Sequence, residues 1–464
     1  MTLLEDARAA LAAGPLCDPC LGRLFADRSF GLANAERGHA LRVTLALDAD
    51  EPFEAAGECW VCEGECSRVE EWAERAVRGL EGYEFATYQV GTKVPPLLEE
   101  NDRLLREDAG MDPEAGEPLK SELNREVGKR VGRRVDAEVE FGRPDVQLTL
   151  DLATDEVEVQ VNSAFVYGRY RKLERDIPQT RWPCNECGGT GLKRGAECPG
   201  CDGTGYRYDR SVEQLTAPVV REAMDGTAAV FHGAGREDVD ALMVGTGRPF
   251  VIEVEEPRRR DVDVAALERE IEAYAEGAVE VEGLRLATHE MVERVKELDA
   301  AKTYRMDVTF EEPIDEPAFE TALDALDGAT VEQRTPNRVD HRRADRVRTR
   351  EVYRIEGDLT DPRRADIEVH GAGGLYVKEL ISGDEGRTEP SLAGELGVDA
   401  EVTALDVLAV EGEEEPFADP EFFRGESDGP ADGAEGDGPV EEEGSDGPAD
   451  EAEGKSETAG DETA

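Results

Sequence analysis

Arg236-Glu-Asp238 is the stretch of this 464-residue chain whose residue types most directly imply chemistry. Residues 233–250 read Gly-Ala-Gly-Arg-Glu-Asp-Val-Asp-Ala-Leu-Met-Val-Gly-Thr-Gly-Arg-Pro-Phe, a glycine-hinged turn between two apolar runs, 228–231 and 250–254. If those runs are strands, the turn lifts the Asp238 carboxylate to the rim of a sheet, with the Arg236 guanidinium beside it. A carboxylate that attacks a substrate must stay ionised while water is excluded, and a neighbouring guanidinium favours the charged form. By composition alone, an Asp in a glycine-rich hairpin is more often an ordinary turn residue. The longer string must decide.

The cysteines offer a second chemistry. Cys184-x-x-Cys187 and Cys198-x-x-Cys201 are followed by Gly-Gly-Thr-Gly and Asp-Gly-Thr-Gly. Each pair forms a turn whose two thiolates can share one tetrahedral ion, so the four together predict structural zinc. The repeat also resembles the zinc modules of DnaJ-type chaperones, but only locally, and the J-domain His-Pro-Asp tripeptide is missing. Cys17-x-x-Cys20 and Cys59-x-x-Cys62 make a second, more widely spaced candidate. Cys66 is left over, as a buried small apolar residue or a competitor of Cys62 for the metal.

The formal charge is −55, with 108 acidic against 53 basic residues. Residues 411–464 hold 21 Asp and Glu against 2 Lys and Arg in a Gly, Ser and Pro background, which predicts a disordered acidic tail. Excess acid persists in the rest of the chain, and only 9 of the basic residues are Lys. That surface suits a halophilic cytosol, where the Debye length falls to ~3 Å and self-repulsion is screened. No apolar run approaches a membrane span and the N-terminus is not a signal peptide, so a soluble cytoplasmic protein is expected. Arginine clusters at 125–134, 169–175, 258–260 and 334–354 leave room for a nucleic-acid partner despite the net charge. Neither glycine-rich stretch has the third glycine of a dinucleotide loop, there is no P-loop, and five scattered histidines offer no metal-hydrolase motif.

Five regions must position these groups. Residues 1–68 read as a small zinc-pinned unit, 69–178 as an α/β domain, and 179–205 as an inserted zinc knuckle. Residues 206–410 read as a third domain, the one that carries Asp238, and 411–464 as the tail. Period-two patterning predicts strands at 84–90, 137–141, 146–152 and 156–161, then at 251–254, 304–310, 352–355, 367–370, 376–381 and 402–410. Helices are expected at 120–131, 211–224, 264–276 and 316–326. Strands and helices without strict alternation predict an α+β fold with a mixed, largely antiparallel sheet.

The string from Gly233 to Arg248 resembles the signature of the archaeal tRNA pseudouridine synthases that modify T-loop uridines. The likeness continues in Cys17-Asp-Pro-Cys-Leu-Gly-Arg23, in Lys302-Thr-Tyr304, in the basic run from Gln333 to Asp345, and in Gly373-Gly-Leu-Tyr376 through Ser391. Val90-Gly-Thr-Lys, Arg143-Pro-Asp-Val and Val166-Tyr-Gly-Arg-Tyr resemble a THUMP domain, an RNA-binding module of tRNA-modifying enzymes. The resemblance implies Asp238 as nucleophile, Tyr304 and Tyr376 as substrate contacts, and Arg236 or Arg248 as support for the carboxylate. It also implies Arg338 and Arg342 as phosphate partners and an N-terminal zinc site from Cys17, Cys20, Cys59 and Cys62. The implied reaction isomerises uridine 54, 55 or both to pseudouridine without a catalytic cofactor, on the T-arm of tRNA, by a monomer. Attack at ribose C1′ and at base C6 both remain open, with Tyr304 or a water it positions as the base for the C5 proton. Two rival readings are a non-catalytic zinc and THUMP protein that delivers tRNA, and a zinc chaperone with an acidic tail.

Overall fold

The computed structural model describes residues 2–337, 345–411 and 419–425. Arg338 and Arg342 lie outside the described residues, as does all but a short piece of the expected tail.

The N-terminal helices Leu3–Ala12, Asp18–Arg23 and Asn34–Ala49 close on a core of Leu16, Leu21, Leu24, Leu41 and four buried cysteines. The same core takes Leu98 and Leu105 from helix Pro96–Asp108 and Leu119 and Leu123 from helix Leu119–Gly132. A small sheet follows, with strands β1 (Thr87–Lys93), β2 (Glu138–Val139), β3 (Val146–Asp151) and β4 (Glu156–Val161) in the order β2-β1-β3-β4. Helices Val69–Gly79 and Leu119–Gly132 cover one face, burying Trp72, Ala76, Val127 and Val131 against Tyr88, Val146 and Leu148. The strand expected at 137–141 shrinks to the two residues of β2.

Strand β5 (Ala164–Lys172) lies in the range read as part of the RNA-binding domain, yet it belongs to the large sheet. It runs antiparallel to β9 (Leu242–Glu255) and β10 (Val279–Ala287). The cysteine knuckle contributes the hairpin β6 (Leu192–Lys193) and β7 (Ala196–Glu197), and β8 (Ala228–Gly233) pairs with β9. The remaining strands are β11 (Lys302–Phe310), β12 (Thr330–Arg334), β13 (Val347–Asp361), β14 (Arg364–Gly371), β15 (Thr388–Glu389) and β16 (Ala400–Val410). Among the described residues they form a ten-stranded sheet in the order β10-β5-β9-β16-β11-β14-β13-β12-β15, with β8 off this path on β9. All neighbours are antiparallel except β9 and β16, which meet in parallel at Leu242–Asp406 and Met243–Val407.

That junction is the seam of the molecule. On one side, helices Val212–Ala223 and Val264–Ala275 bury Val212, Leu215, Val220, Leu267 and Ile271 against Val166, Ile252 and Val281. Each begins on a side-chain cap: Ser211 Oγ accepts from the Gln214 amide at 3.1 Å, and Asp263 Oδ1 from the Ala266 amide at 2.9 Å. On the other side, Phe319, Leu326, Leu380 and Ile381 cover Met306, Val308 and Ile367. Tyr304 packs against both cores.

Two expectations need correction. Residues 376–381 form no strand: Tyr376 is the N-cap of helix Val377–Ser382. Gly374, at φ +76°, ends the extended run, and Val377, Leu380 and Ile381 bury at helical spacing. Nor does the chain leave the fold at 411. Phe423 is buried against Tyr167, with ring centroids 5.7 Å apart, and Arg424 pairs with Asp145. Asp145, from Arg143-Pro-Asp, is 2% exposed and also 3.1 Å from Arg260, so it ties the small sheet to the large one. Burial pushes its carboxyl up, but Arg424 and Arg260 outweigh that and hold it below the usual aspartate value.

Candidate active site

Asp238 stands on the loop between β8 and β9, at the seam. Gly235, at φ +68°, turns the chain there, a conformation that favours glycine. Lys172, fully buried at the end of β5, donates to the carbonyls of Asp238 (3.2 Å), Val239 (3.0 Å) and Ile177 (2.9 Å). The Asp238 segment is therefore pinned by its backbone, leaving the side chain to face the cleft.

The carboxylate is 38% exposed, and its Oδ2 lies 3.1 Å from Lys378 Nζ. Lys378 comes from the short helix that Tyr376 caps and is also 3.3 Å from Asp240. An ammonium at this distance favours the ionised aspartate. Sequence reasoning looked for an arginine in this role and missed Lys378.

Arg248 and Arg236 go elsewhere. Arg248 is 1% exposed, with Nε 3.0 Å from Glu237 Oε2 and one terminal nitrogen donating to the Ala234 carbonyl at 2.8 Å. Glu237 is equally buried and accepts from the Tyr170 hydroxyl at 2.9 Å; Lys172 Nζ stands 3.8 Å away. Burial and the Glu237 charge push the Tyr170 phenol well above its ordinary value, so it remains a donor. This buried group forms a rigid floor under the loop. Arg236 is exposed, its guanidinium 5.8 Å from the centre of the Trp182 ring.

Above the floor is a cleft of about 520 Å³, lined by Asp238, Arg248, Lys302, Tyr304, Tyr376 and Lys378 among others. Burial pushes the Tyr304 phenol up to about 12; Arg248 opposes the shift and Asp238 adds to it. Tyr304 is thus a neutral phenol at physiological pH. Lys302, at the start of β11, is pulled down to about 8 by burial and by Arg248, against Asp299. It is a second cleft cation that sequence reasoning did not assign. Tyr376 is held through its backbone by the buried Gln333, whose amide nitrogen donates to the Tyr376 carbonyl at 2.9 Å and whose oxygen accepts its N–H at 2.8 Å.

The arginine clusters are largely committed to carboxylates. Arg125 contacts Glu117, Glu122 and Glu126; Arg130 and Arg134 reach Glu70; Arg171 pairs with Glu280 and Glu282, and Arg175 with Asp406. Arg334 pairs with Asp345.

Two sets of four thiols could each hold a metal ion. Cys184, Cys187, Cys198 and Cys201 converge, with sulfur separations of 3.9 Å (184–198) and 3.8 Å (187–201). A tetrahedron with zinc–sulfur arms of 2.3 Å has edges of about 3.8 Å. The knuckle's glycines are required by close backbone approach: a Cβ on Gly191 would lie 2.2 Å from the Gly203 carbonyl oxygen, and one on Gly205 2.4 Å from that of Gly189. The N-terminal set differs from expectation. Cys17, Cys20, Cys62 and Cys66 converge, so that Cys66 joins the set, while Cys59 also stays in side-chain contact with Cys17, Cys20 and Cys62. Cys66 sits on the short turn Glu65–Ser67, which brings its sulfur 3.8 Å from that of Cys20. The regular Cys-x-x-Cys spacing of 59 and 62 concealed this pairing.

The family model described as the Pus10 C-terminal region matches residues 165–411, and one described as the archaeal Pus10 THUMP domain matches residues 72–151. The first begins where β5 enters the large sheet. The chain is 66% identical over 91% of its length to the whole of a protein from Halorubrum lacusprofundi named tRNA pseudouridine synthase Pus10. Proteins of that name from Methanothrix thermoacetophila and Pyrococcus furiosus are 44% and 37% identical, each over 88% of this chain and 95% and 98% of their own. The Halorubrum relative also fits the halophilic character expected from the acidic surface. With the two matched segments covering the large sheet and strands β1 to β3 of the small one, and with these relatives aligned over most of its length, the chain belongs to the Pus10 family.

Proposed function

We propose that this protein isomerises uridine 54, uridine 55 or both in the T-loop of tRNA to pseudouridine, with Asp238 as nucleophile. The observation that carries this reading is the Asp238 carboxylate in a cleft walled by Tyr304 and Tyr376, with the Lys378 ammonium 3.1 Å away. The relatives' shared name supports the reaction class and the tRNA substrate.

The target nucleotide is everted into the cleft and stacks on the tyrosine wall. Asp238 attacks ribose C1′ or base C6, and the bond between N1 and C1′ breaks. The uracil turns and rejoins C1′ through C5, the bond to Asp238 breaks to return its carboxylate, the C5 proton leaves, and N1 ends protonated, so no atoms are gained or lost. A phenol at about 12 makes Tyr304 a hydrogen-bonding wall that positions water rather than a phenolate base. Arg248 supports the loop from below through Glu237, and Arg236 stands at the mouth. No catalytic cofactor is required. Both cysteine sets hold structural zinc, the N-terminal region and THUMP domain engage the T-arm, and the protein works as a cytoplasmic monomer.

The test is incubation with unmodified tRNA in high salt, followed by mapping of pseudouridines. Conversion at 54, 55 or both supports the reading. Tight tRNA binding with no pseudouridine anywhere favours a non-catalytic tRNA-binding protein.

A further inference from the structure

Carboxylates outnumber cations twofold in this chain, so arginines that face aromatic rings instead of acids are informative. Three such arginines gather between the cysteine knuckle and the cleft. Arg207 lies 5.3 Å from the centre of the Trp182 ring, Arg236 lies 5.8 Å from the same ring, and Arg181 lies 5.6 Å from that of Tyr206. Among the described residues, none of the three forms an ion pair with a carboxylate. All three are exposed, and Trp182 is half-buried, with Tyr208 edge-on at 5.5 Å.

The stack is fixed at both ends. Toward the knuckle, the Arg207 amide donates to the Trp182 carbonyl at 2.9 Å, Pro183 bridges Tyr206, and the Cys184 amide donates to the Gly205 carbonyl at 2.8 Å. Toward the cleft, Gln179 donates to the Gly235 carbonyl at 2.9 Å, three residues before the nucleophile, and to the Tyr170 hydroxyl at 2.9 Å. The four thiols thus close a loop whose stem carries Trp182 to the mouth of the active site.

We propose that Arg207, Trp182 and Arg236 form a platform for single-stranded RNA, whose guanidinium planes, pre-oriented on the indole, stack an unpaired base flanking the target uridine. The knuckle holds this platform in place. Arginine planes and aromatic rings are the usual partners of splayed bases, and such stacking survives the molar salt that suppresses phosphate contacts. The inference rests on the tRNA reading above and adds an RNA contact outside the THUMP domain.

The test compares the metal-loaded full chain with Trp182→Ala, Trp182→Phe, Arg207→Lys and Arg207→Gln in molar salt. It reads tRNA affinity and, separately, the single-turnover rate at saturating tRNA. Expected is roughly tenfold weaker binding for Trp182→Ala, Arg207→Lys and Arg207→Gln, near-normal binding for Trp182→Phe, and little change in the saturating rate. Wild-type affinity in Trp182→Ala, or a loss of saturating rate at unchanged affinity, overturns the platform. So does normal binding by Arg207→Lys with weakened binding by Arg207→Gln, which marks a phosphate contact. If the wild type binds tRNA but forms no pseudouridine, the function reading fails while the affinities still judge the platform.

Discussion

The ammonium of Lys378 stands 3.1 Å from one carboxylate oxygen of Asp238 and 3.3 Å from Asp240. It comes from the helix behind Tyr376, so the charge partner of Asp238 and one wall of the cleft are set by one short element. Replacing Lys378 by Met removes the cation that keeps Asp238 ionised in a water-excluding complex. The saturating isomerisation rate should fall about 10²-fold, with tRNA affinity changed far less. Lys378→Arg should recover part of the rate. An unchanged rate in Lys378→Met would remove the lysine from the mechanism.

Glu237 and Arg248 are each 1% exposed in side chain. Removing one member of a buried ion pair leaves the other uncompensated, a cost of about 3–5 kcal/mol. Glu237→Ala should therefore lower the thermal midpoint in molar salt by many degrees. Tyr170→Phe, which deletes the hydroxyl's hydrogen bonds with Glu237 and Gln179, should cost about 2 kcal/mol. Equal midpoints for the two variants would contradict this account of the floor.

Lys302 gives the folded state a pH signature. Its ammonium is pulled down to about 8 from 10.5, so above pH 8 the unfolded chain binds more protons than the folded one. That residue's contribution to stability should rise between pH 8 and 10.5. Stability against pH over this window should be flatter in Lys302→Met than in the wild type. Tyr304, at about 12, should add no ionisation to the activity profile below pH 11, so Tyr304→Phe should lower the rate without moving the profile's midpoints.

Phe423 and Arg424 brace the two sheets through Tyr167 and Asp145. Truncation after residue 410 should destabilise the protein by about 3–5 kcal/mol, the range for losing a buried phenylalanine. Truncation after Gly425 should be neutral in high salt. Denaturant unfolding of the two truncations distinguishes them.

Native mass spectrometry should find two metal ions per chain. Cys66→Ser should lose one and Cys59→Ser should keep both, because Cys66 and not Cys59 completes the N-terminal set. The opposite pattern would restore the sequence-based ligand choice.

Much of this was legible because the informative residues are local in sequence. The turn around Asp238, the period-two run from Tyr304 and the paired cysteines each carry their meaning within a short window. What escaped reading depends on contacts between distant segments. Lys378, Lys302 and Lys172 converge on one loop from two strands and a helix, and no window contains them together. A faint signal existed: the chain keeps 9 lysines, and three of them gather here. Arg248 looked like a partner for Asp238, but burial beside Glu237 claims it. Residues 376–381 misled because an apolar run too short to show its period reads equally well as strand or helix.

Asp238→Asn keeps the side chain's shape and removes its charge, so it separates chemistry from fold most directly. We expect this variant to bind tRNA with near wild-type affinity and to form no pseudouridine over many wild-type turnover times. Pseudouridine formation by Asp238→Asn at close to the wild-type rate would contradict the assignment of the nucleophile.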